Sequence, residues 1–570
     1  MRVYEAIVRG LENLGVDAVF GGAGENAAGM MLALDASTRI RGIVTKNEQA
    51  AAFMACGYAM FTDKLGVCFA TAGPGAFNLI SGLCVALTDS YPLLAITGYS
   101  TVAWTGKGSL NETSGVGRTP NSRAMFSAIT KASFLLQDLA DVSKVLQEAV
   151  DIAFSGRPGP VHIAVAEDIT DPGMKVENFR APEPHVQPMA PDPKRVAEIA
   201  AFLVTSLQKG RKIVLLAGFG AIRSHAYREV REFIERYQIP LVTTLDGKGI
   251  VAEEHPLAIG VFSDSGHKSA WDVFLDADIV LAVGNSFAQH ATFNFRDDLC
   301  AGRTLIHINI DEGEIDKVYK ADYALVCDAK LAIAAIAAQM APSLSPVAAR
   351  EFRAPDFDQQ RVLKLDGKLH PGQLVQSISQ LLPAGGVVLA DAGAHAAWLA
   401  YYLELKDGQN FRKPGTYGPM GIGVNGALGV KAANPHRTVV AGVGDGCYLM
   451  SGFELMTAVH HDLPVIWVIF NDGEFKLIKL YQLASFHKSG LVEFPNPDYV
   501  TYARACGADG YCVDTIGDFE RAFKAALASG RPTLIDARIT RLALPHYSPS
   551  PEGVLAGIWE MATKRFGGGQ

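Results

Sequence analysis

Short apolar runs alternate with helical patterns along almost the whole chain, and this rhythm predicts an α/β protein. In the first third, Ala18-Val-Phe20, Gly42-Ile-Val44, Gly66-Val-Cys-Phe-Ala70 and Pro92-Leu-Leu-Ala-Ile96 read as buried strands. A helix over 49–62 and another from Ala76 fall between them, with glycine turns at Gly21-Gly-Ala-Gly24 and Gly73-Pro-Gly75. The middle third repeats the theme: strand Lys212-Ile-Val-Leu-Leu216, turn Gly218-Phe-Gly220, a helix through Phe233, then strands Ile279-Val-Leu-Ala-Val283 and Leu305-Ile-His-Ile-Asn-Ile310. The last third shows Gly386-Val-Val-Leu-Ala-Asp391, Thr438-Val-Val-Ala-Gly-Val443 and Pro464-Val-Ile-Trp-Val-Ile-Phe470 as strands. Between the latter two, Leu449, Phe453, Met456 and Val459 recur at helical spacing. Strands that alternate with helices in this way build parallel sheets.

A proline-rich polar stretch over 181–193 and the segment Pro342-Ser-Leu-Ser-Pro346 read as linkers. They divide the chain into 1–180, 190–345 and 355–545, followed by a tail over 546–570. The expectation is three consecutive parallel-sheet α/β domains, which suits a 570-residue chain too long for one ordinary core. No repeat is visible in the letters, although two similar α/β halves are compatible with the pattern.

Composition narrows the function. With 49% hydrophobic and 19% charged residues the chain has ample material for large cores. A net charge of −8 without a dense Lys/Arg cluster argues against a nucleic-acid surface. The eight cysteines lack metal-ligand spacing and mostly sit in apolar runs, so free thiols in a reducing compartment are expected. No signal-peptide core follows Met1 and no apolar run is long enough to span a membrane, which predicts a cytoplasmic protein.

The chemistry is concentrated at Gly444-Asp445-Gly446 and Asn471. The pattern places Asp445 and Asn471 at the carboxyl ends of neighbouring parallel strands, where open α/β sheets bind ligands. A carboxylate, an amide oxygen and a nearby backbone carbonyl suit a hard cation such as Mg²⁺, an ion that commonly shares its oxygen ligands with phosphates. Alone, such a motif reads equally well as a hairpin turn or a calcium loop. Glu48 opens the alanine-rich helix after Ile43-Val44-Thr45-Lys46-Asn47 and is read as closing a strand. Taken alone it is an ordinary helix-start glutamate, favoured there by the dipole. Gly218-Phe-Gly220 reads as a tight strand-to-helix turn, with a site for FAD or another ADP-bearing group as the alternative.

Together these motifs resemble the thiamine diphosphate-dependent acetolactate synthase/pyruvate oxidase/2-oxoacid decarboxylase family over essentially the whole chain. The resemblance is carried by Glu48 with its alanine-rich helix, Gly73-Pro-Gly75-Ala-Phe-Asn78, Gly156-Arg-Pro-Gly-Pro160, Asp391-Ala-Gly-Ala-His395-Ala-Ala-Trp398, Met420-Gly-Ile-Gly423 and the metal motif. It implies pyrimidine-binding, central and diphosphate-binding domains. It implies that Glu48 exchanges a proton with the cofactor's aminopyrimidine, with Gly73 and Asn78 nearby. Gly393, Ala394 and His395 match diphosphate contacts, beside Gly444 and Gly446. Met420 matches the residue that props the cofactor in its bent shape, though a core methionine is the plain alternative; Gly418 matches a carbonyl facing the 4′-amino group. Asp445, Asn471 and the carbonyl of Gly473 match Mg²⁺ ligands, and Leu477 and Ile478 match residues that flank the thiazolium. The family builds each active site from two subunits, so a homodimer or homotetramer is implied.

The specificity positions depart from the best-known members. Asn47 stands where many relatives carry a histidine, Tyr481 where many acetolactate synthases carry a tryptophan, and the segment Lys107–Asn121 holds no glutamine. Glu25, Asn26, Asn111, Glu112 and Arg118 are the candidate pocket residues, each with a solvated loop side chain as the alternative. His460 and His461 read as helix-capping rather than metal-binding, and His546 as part of a lid or a peripheral arm. The resemblance implies an enzyme that decarboxylates a small 2-oxo acid and joins the fragment to a second carbonyl. The alternatives are a 2-hydroxyacyl-CoA lyase or oxalyl-CoA decarboxylase, a simple 2-oxoacid decarboxylase or C–C hydrolase, and a silent cofactor-binding relative.

Overall fold

The computed structural model describes residues 1–183, 187–340 and 367–545. The linker Pro342–Pro346 and the tail with His546 lie outside the described residues. Three six-stranded sheets follow one another along the chain, and every strand pairing within them is parallel.

The first sheet holds β1 (Ala18–Gly21), β2 (Arg41–Val44), β3 (Gly66–Ala70), β4 (Leu93–Tyr99), β5 (Ala132–Leu136) and β6 (Pro160–Ala166), in the order β2-β1-β3-β4-β6-β5. The second holds β7 (Ile213–Ala217), β8 (Leu241–Thr243), β9 (Ala258–Val261), β10 (Ile279–Val283), β11 (Thr304–Asn309) and β12 (Tyr323–Val326), in the order β12-β11-β10-β7-β8-β9. The third holds β13 (Val387–Ala390), β14 (Asn410–Arg412), β15 (Val439–Gly444), β16 (Val465–Asn471), β17 (Asp509–Val513) and β18 (Thr533–Arg538), in the order β14-β13-β15-β16-β18-β17. The first and third sheets therefore share one topology, the similar halves that the letters concealed.

The strands are continuous apolar runs because helices cover both faces. Two sequence expectations shift. The strand before Glu48 ends at Val44, not at Asn47, because Thr45 turns the chain by donating its hydroxyl to the Asn47 carbonyl at 2.9 Å. The helix through Phe233 is broken into Phe219–Arg223 and Tyr227–Tyr237, with His225 left-handed at φ 52° between them. Among the described residues no helix is long and apolar enough to cross a membrane. All eight cysteines are free thiols.

The first and third domains share a core. Helix Glu48–Met60, buried from Ala50 onward, crosses helix Ile422–Ala433 at a distance only glycine allows. A Cβ on Gly57 would lie 2.0 Å from the Gly426 carbonyl oxygen, and one on Gly429 would lie 1.8 Å from that of Met54. A Cβ on Gly426 itself meets nothing nearer than 3.4 Å. Gly429→Ala is therefore expected to destabilise the protein by about 3 kcal/mol, the upper range for overpacking. Gly426→Ala should be neutral or stabilising, since alanine gains up to about 1 kcal/mol in a helix. Thermal denaturation of the two variants side by side checks the contrast.

One buried cation ties all three domains together. Arg412 on β14 lies 3.3 Å from Asp89 of the first domain and 2.8 Å from Asp246 of the second. Its Nε donates to the Tyr91 hydroxyl at 2.9 Å, and its guanidinium stacks 3.7 Å from the ring centre of Phe219. The second domain is further held by Arg223, whose Nη1 donates to the carbonyls of Ala59 and Thr62.

Of the apolar stripe after Gly446 only Val459 packs on a core. The stripe forms two short helices, Asp445–Ser451 and Leu455–His460, around a turn at Gly452–Glu454. Leu449, Phe453 and Met456 remain 40%, 61% and 38% exposed.

Candidate active site

The strand order reverses between β13 and β15, which opens a crevice at their carboxyl ends, the place where doubly wound sheets bind ligands. Asp445 follows β15 directly and is 2% exposed. Its Oδ1 accepts from Gly446 N at 2.9 Å, and its Oδ2 accepts from Gly473 N and Asn496 Nδ2, both at 2.7 Å. Asn471 ends β16, one strand across, and turns its Oδ1 toward the same Asn496 nitrogen at 2.8 Å, while its own Nδ2 donates to Asp536 at 2.7 Å. The two predicted ligand oxygens thus converge on one point, where the partial positive charge of an amide stands in for a cation. Burial pushes the Asp445 carboxyl upward, so a metal ion there would offset a real desolvation penalty.

The donor set fits a hard divalent ion at Asp445 and Asn471. Gly473 gives Asp445 its N–H, and its carbonyl accepts from Phe494 N at 3.1 Å and Arg541 Nη2 at 3.3 Å. The left-handed φ of 68° at Gly473 makes this turn.

Beside Asp445 lies a cavity of about 310 Å³. Gly393, Ala394, His395, Gly418, Met420, Gly444, Gly446, Leu477 and Ile478 all line it, which brings together most of the residues expected to hold a cofactor. Helix Ala394–Tyr402 points its amino end there, and backbone N–H groups at such an end favour phosphate. A side chain on Gly393 or Gly444 would come within 2.8 or 3.0 Å of the His395 ring, so both glycines clear space around it. His395 is buried, its pKa pulled down to about 4 by desolvation, and its Nε2 has no hydrogen-bond partner among the described residues. In the tautomer that carries the ring hydrogen on Nε2, this imidazole can donate to a diphosphate oxygen.

Asp391, at the end of β13, anchors the other wall. Its Oδ2 accepts from the N–H groups of Gly421, Gly423 and Val424 at 2.9, 3.1 and 3.2 Å, capping the turn that carries Met420. Burial outweighs those bonds and pushes its carboxyl up to about 6. Asp472, also in the cavity wall, is pushed up to about 7 by burial, against the opposing charge of Lys476. Glu474 is fully enclosed and paired with Lys476 and Lys479.

The reversal point of the first sheet, between β1 and β3, holds Glu48. Asn47 caps its helix by accepting from Gln49 N at 2.8 Å. The Glu48 Oε2 accepts from Asn78 Nδ2 at 2.9 Å. Its side chain packs so closely on Gly22 and Gly75 that a Cβ at either would lie within 2.6 or 3.0 Å of it. Gly73 completes the turn, with Asn111 against it. Glu48 does not line the cavity beside Asp445 of its own chain.

The candidate substrate residues separate. Asn26 packs on Gly98 and receives the Thr71 hydroxyl, and Asn111 sits beside Gly73, so both border the Glu48 turn. Glu112 serves its own loop instead: Gly106 N, Gly108 N, Ser109 N and the Ser114 hydroxyl hold its carboxyl down to about 2. Glu25 and Arg118 are exposed. In the second domain, side chains on Gly218 and Gly220 would meet the backbone of Gly284 within 2.3 and 2.6 Å. Those glycines serve packing of the turn, and the FAD or ADP alternative draws no support from them.

Asn496, and Asp391 as a cap, are not legible in the sequence as site residues. Asn496 lies in a proline-flanked loop with no periodic signal, and only its hydrogen bonds reveal it.

Comparison with known proteins agrees with this geometry. Residues 1–117, 200–336 and 391–537 match the thiamine pyrophosphate enzyme N-terminal TPP binding domain, central domain and C-terminal TPP binding domain, respectively. The chain is 30% identical to a probable acetolactate synthase large subunit of Methanocaldococcus jannaschii, over 96% of this chain and 94% of that one. It is 31% identical to the acetolactate synthase isozyme 2 large subunit of Escherichia coli K12, over 94% and 95%. The isozyme 3 large subunit of the same organism is 30% identical, over 98% and 99%.

Proposed function

Because the chain belongs to the thiamine pyrophosphate enzyme family, with acetolactate synthase large subunits as full-length relatives, we propose that it decarboxylates a small 2-oxo acid and joins the remaining fragment to a second carbonyl compound. The observation that carries this reading is the pair of reversal points: one sheet presents an acid, Glu48, and its topological twin presents an oxygen pair, Asp445 and Asn471, beside a cavity of cofactor size. When bound, thiamine diphosphate supplies the nucleophilic carbon and the electron sink.

The chain's own residues do the rest. Asp445 and Asn471 would hold Mg²⁺, with Asn496 withdrawing its amide. His395 and the amino end of its helix would take the diphosphate oxygens. Met420, fixed through the Asp391 cap, would set the bend, with Leu477 and Ile478 at the reacting end. Glu48 would exchange a proton with the cofactor pyrimidine through one carboxyl oxygen while Asn78 holds the other, Oε2, in place.

Glu48 lies outside its own chain's cavity, and both neighbourhoods carry exposed apolar side chains: Leu449, Met450 and Phe453 near the metal motif, and Leu110 beside the Asn111 that packs on Gly73. These features support a homodimer, or a homotetramer built from it, in which each chain lends Glu48 to its partner's cavity.

The test is incubation of the purified protein with thiamine diphosphate, Mg²⁺ and a panel of 2-oxo acids, following CO₂ and coupled products. Release of CO₂ with a new C–C product, abolished by chelating the divalent ion, is the expected result. Turnover of acyl-CoA thioesters alone, or CO₂ with only the free aldehyde, would replace the reading.

A further inference from the structure

We infer that Glu454 is a positioning residue for Glu48, acting as a carboxylate clamp on the turn that presents the acid. The inference rests on the proposed role of Glu48 in the cofactor's proton exchange. Glu454 is 2% exposed and stands on the turn between the two short helices that follow Asp445, in the third domain. Its Oε1 accepts from Lys46 N at 2.8 Å and from Asn47 N at 3.0 Å, the two peptide groups immediately before Glu48. Its Oε2 accepts from the Thr457 hydroxyl at 2.6 Å, which fixes the rotation of the carboxylate.

The opposite side of the same turn is held by Thr45, whose N–H and hydroxyl both reach the Gly21 carbonyl, at 2.8 and 3.2 Å. The turn over 45–47 is therefore gripped from the first sheet on one side and from the third domain on the other. Lys46 and Asn47 lie beyond the end of β2 at Val44, and their N–H groups donate to Glu454 in place of a strand. A carboxylate accepting two adjacent N–H groups is a strong, geometrically specific anchor. A shift of about 1 Å at a reacting group is worth up to about a hundredfold in rate, and Glu48 follows the clamped peptide directly.

A merely structural residue would affect folding and cofactor affinity; a positioning residue should affect the proton exchange itself. The readout is deuterium exchange at carbon 2 of bound thiamine diphosphate, followed by quenched-flow NMR on the Mg²⁺-loaded enzyme, with cofactor affinity measured by calorimetry. Glu454→Ala is expected to slow exchange about ten- to a hundredfold while cofactor affinity changes by less than about threefold. Glu454→Gln, whose amide oxygen accepts the same two N–H groups, should recover most of the rate. Wild-type exchange in Glu454→Ala would overturn the inference, as would equal slowing in the Ala and Gln variants. If the Ala variant does not fold, Glu454→Asp, too short to reach both N–H groups, should exchange more slowly than Glu454→Gln, and equal rates would overturn it. Glu48→Gln measured alongside separates the two claims: unchanged exchange there removes the relay role of Glu48, whereas slow exchange there with a normal Glu454→Ala removes only the clamp.

Discussion

Glu48→Gln is expected to lower kcat by about 10²- to 10⁴-fold, the range that a positioned proton-transfer group supplies, while thiamine diphosphate and Mg²⁺ still bind. The amide keeps the size of the side chain and its contacts with Gly22, Gly75 and Asn78, so the turn should survive. It loses the ability to give and take a proton at the oxygen that Asn78 leaves free. His395 and Asp445 line a cavity that Glu48 of the same chain does not border, so the substitution leaves the residues proposed to hold the diphosphate and Mg²⁺ unchanged. Steady-state kinetics paired with cofactor titration decides the matter. A Gln variant with wild-type kcat would show that some other group handles the proton.

The second large effect concerns stability. Arg412→Ala is expected to cost about 3–5 kcal/mol, the loss typical when one partner of a buried ion pair is removed. Arg412 and Asp89 are each only 3% exposed at their side chains. Removing the cation leaves Asp89 without its main counter-charge, close to a second carboxylate at Asp246 and a tyrosine hydroxyl at Tyr91. Burial already raises the Asp89 carboxyl above its ordinary value and Arg412 opposes that rise, so the variant raises it further. A group raised in the folded state contributes stability at low pH that is lost as pH climbs through its folded value. The deficit of the variant should accordingly be smaller in acid than at neutral pH. Adding Asp89→Asn to Arg412→Ala should recover part of the loss, because neighbouring residues in one network do not act additively. Thermal melts of the single and double variants at two pH values test both statements; equal melting of wild type and Arg412→Ala would dismiss the clamp.

Much of the architecture was legible because of the burial pattern. Strands such as Val465–Asn471 are covered on both faces, so they appear as uninterrupted apolar runs, and the glycine turns after them mark the strand ends where ligands gather. Asp445 and Asn471 were readable for the same reason: each is the first polar residue after such a run. The limits were equally physical. Leu449, Phe453 and Met456 have the spacing of a core-facing helix but are turned outward, since periodicity reports that one face is apolar and not what that face meets. Glu112 is legible only as a pocket residue or a loop side chain, because nothing in the letters shows that its own loop engages both its oxygens. Asn496 and Glu454 act through hydrogen bonds spanning 25 to 51 and 407 to 408 residues of sequence, distances over which no local pattern carries information.

The three-way contact at Arg412 also constrains how this protein can be dissected or recombined. Its anionic partners sit on two domains and its cation on the third, so no single domain can be exchanged with that of a homologue without supplying the matching charge. Chimaeras should tolerate crossovers only when positions 89, 246 and 412 are inherited as a set, which makes this small ionic knot, and not the linkers, the natural rule for where modules of the chain can be traded.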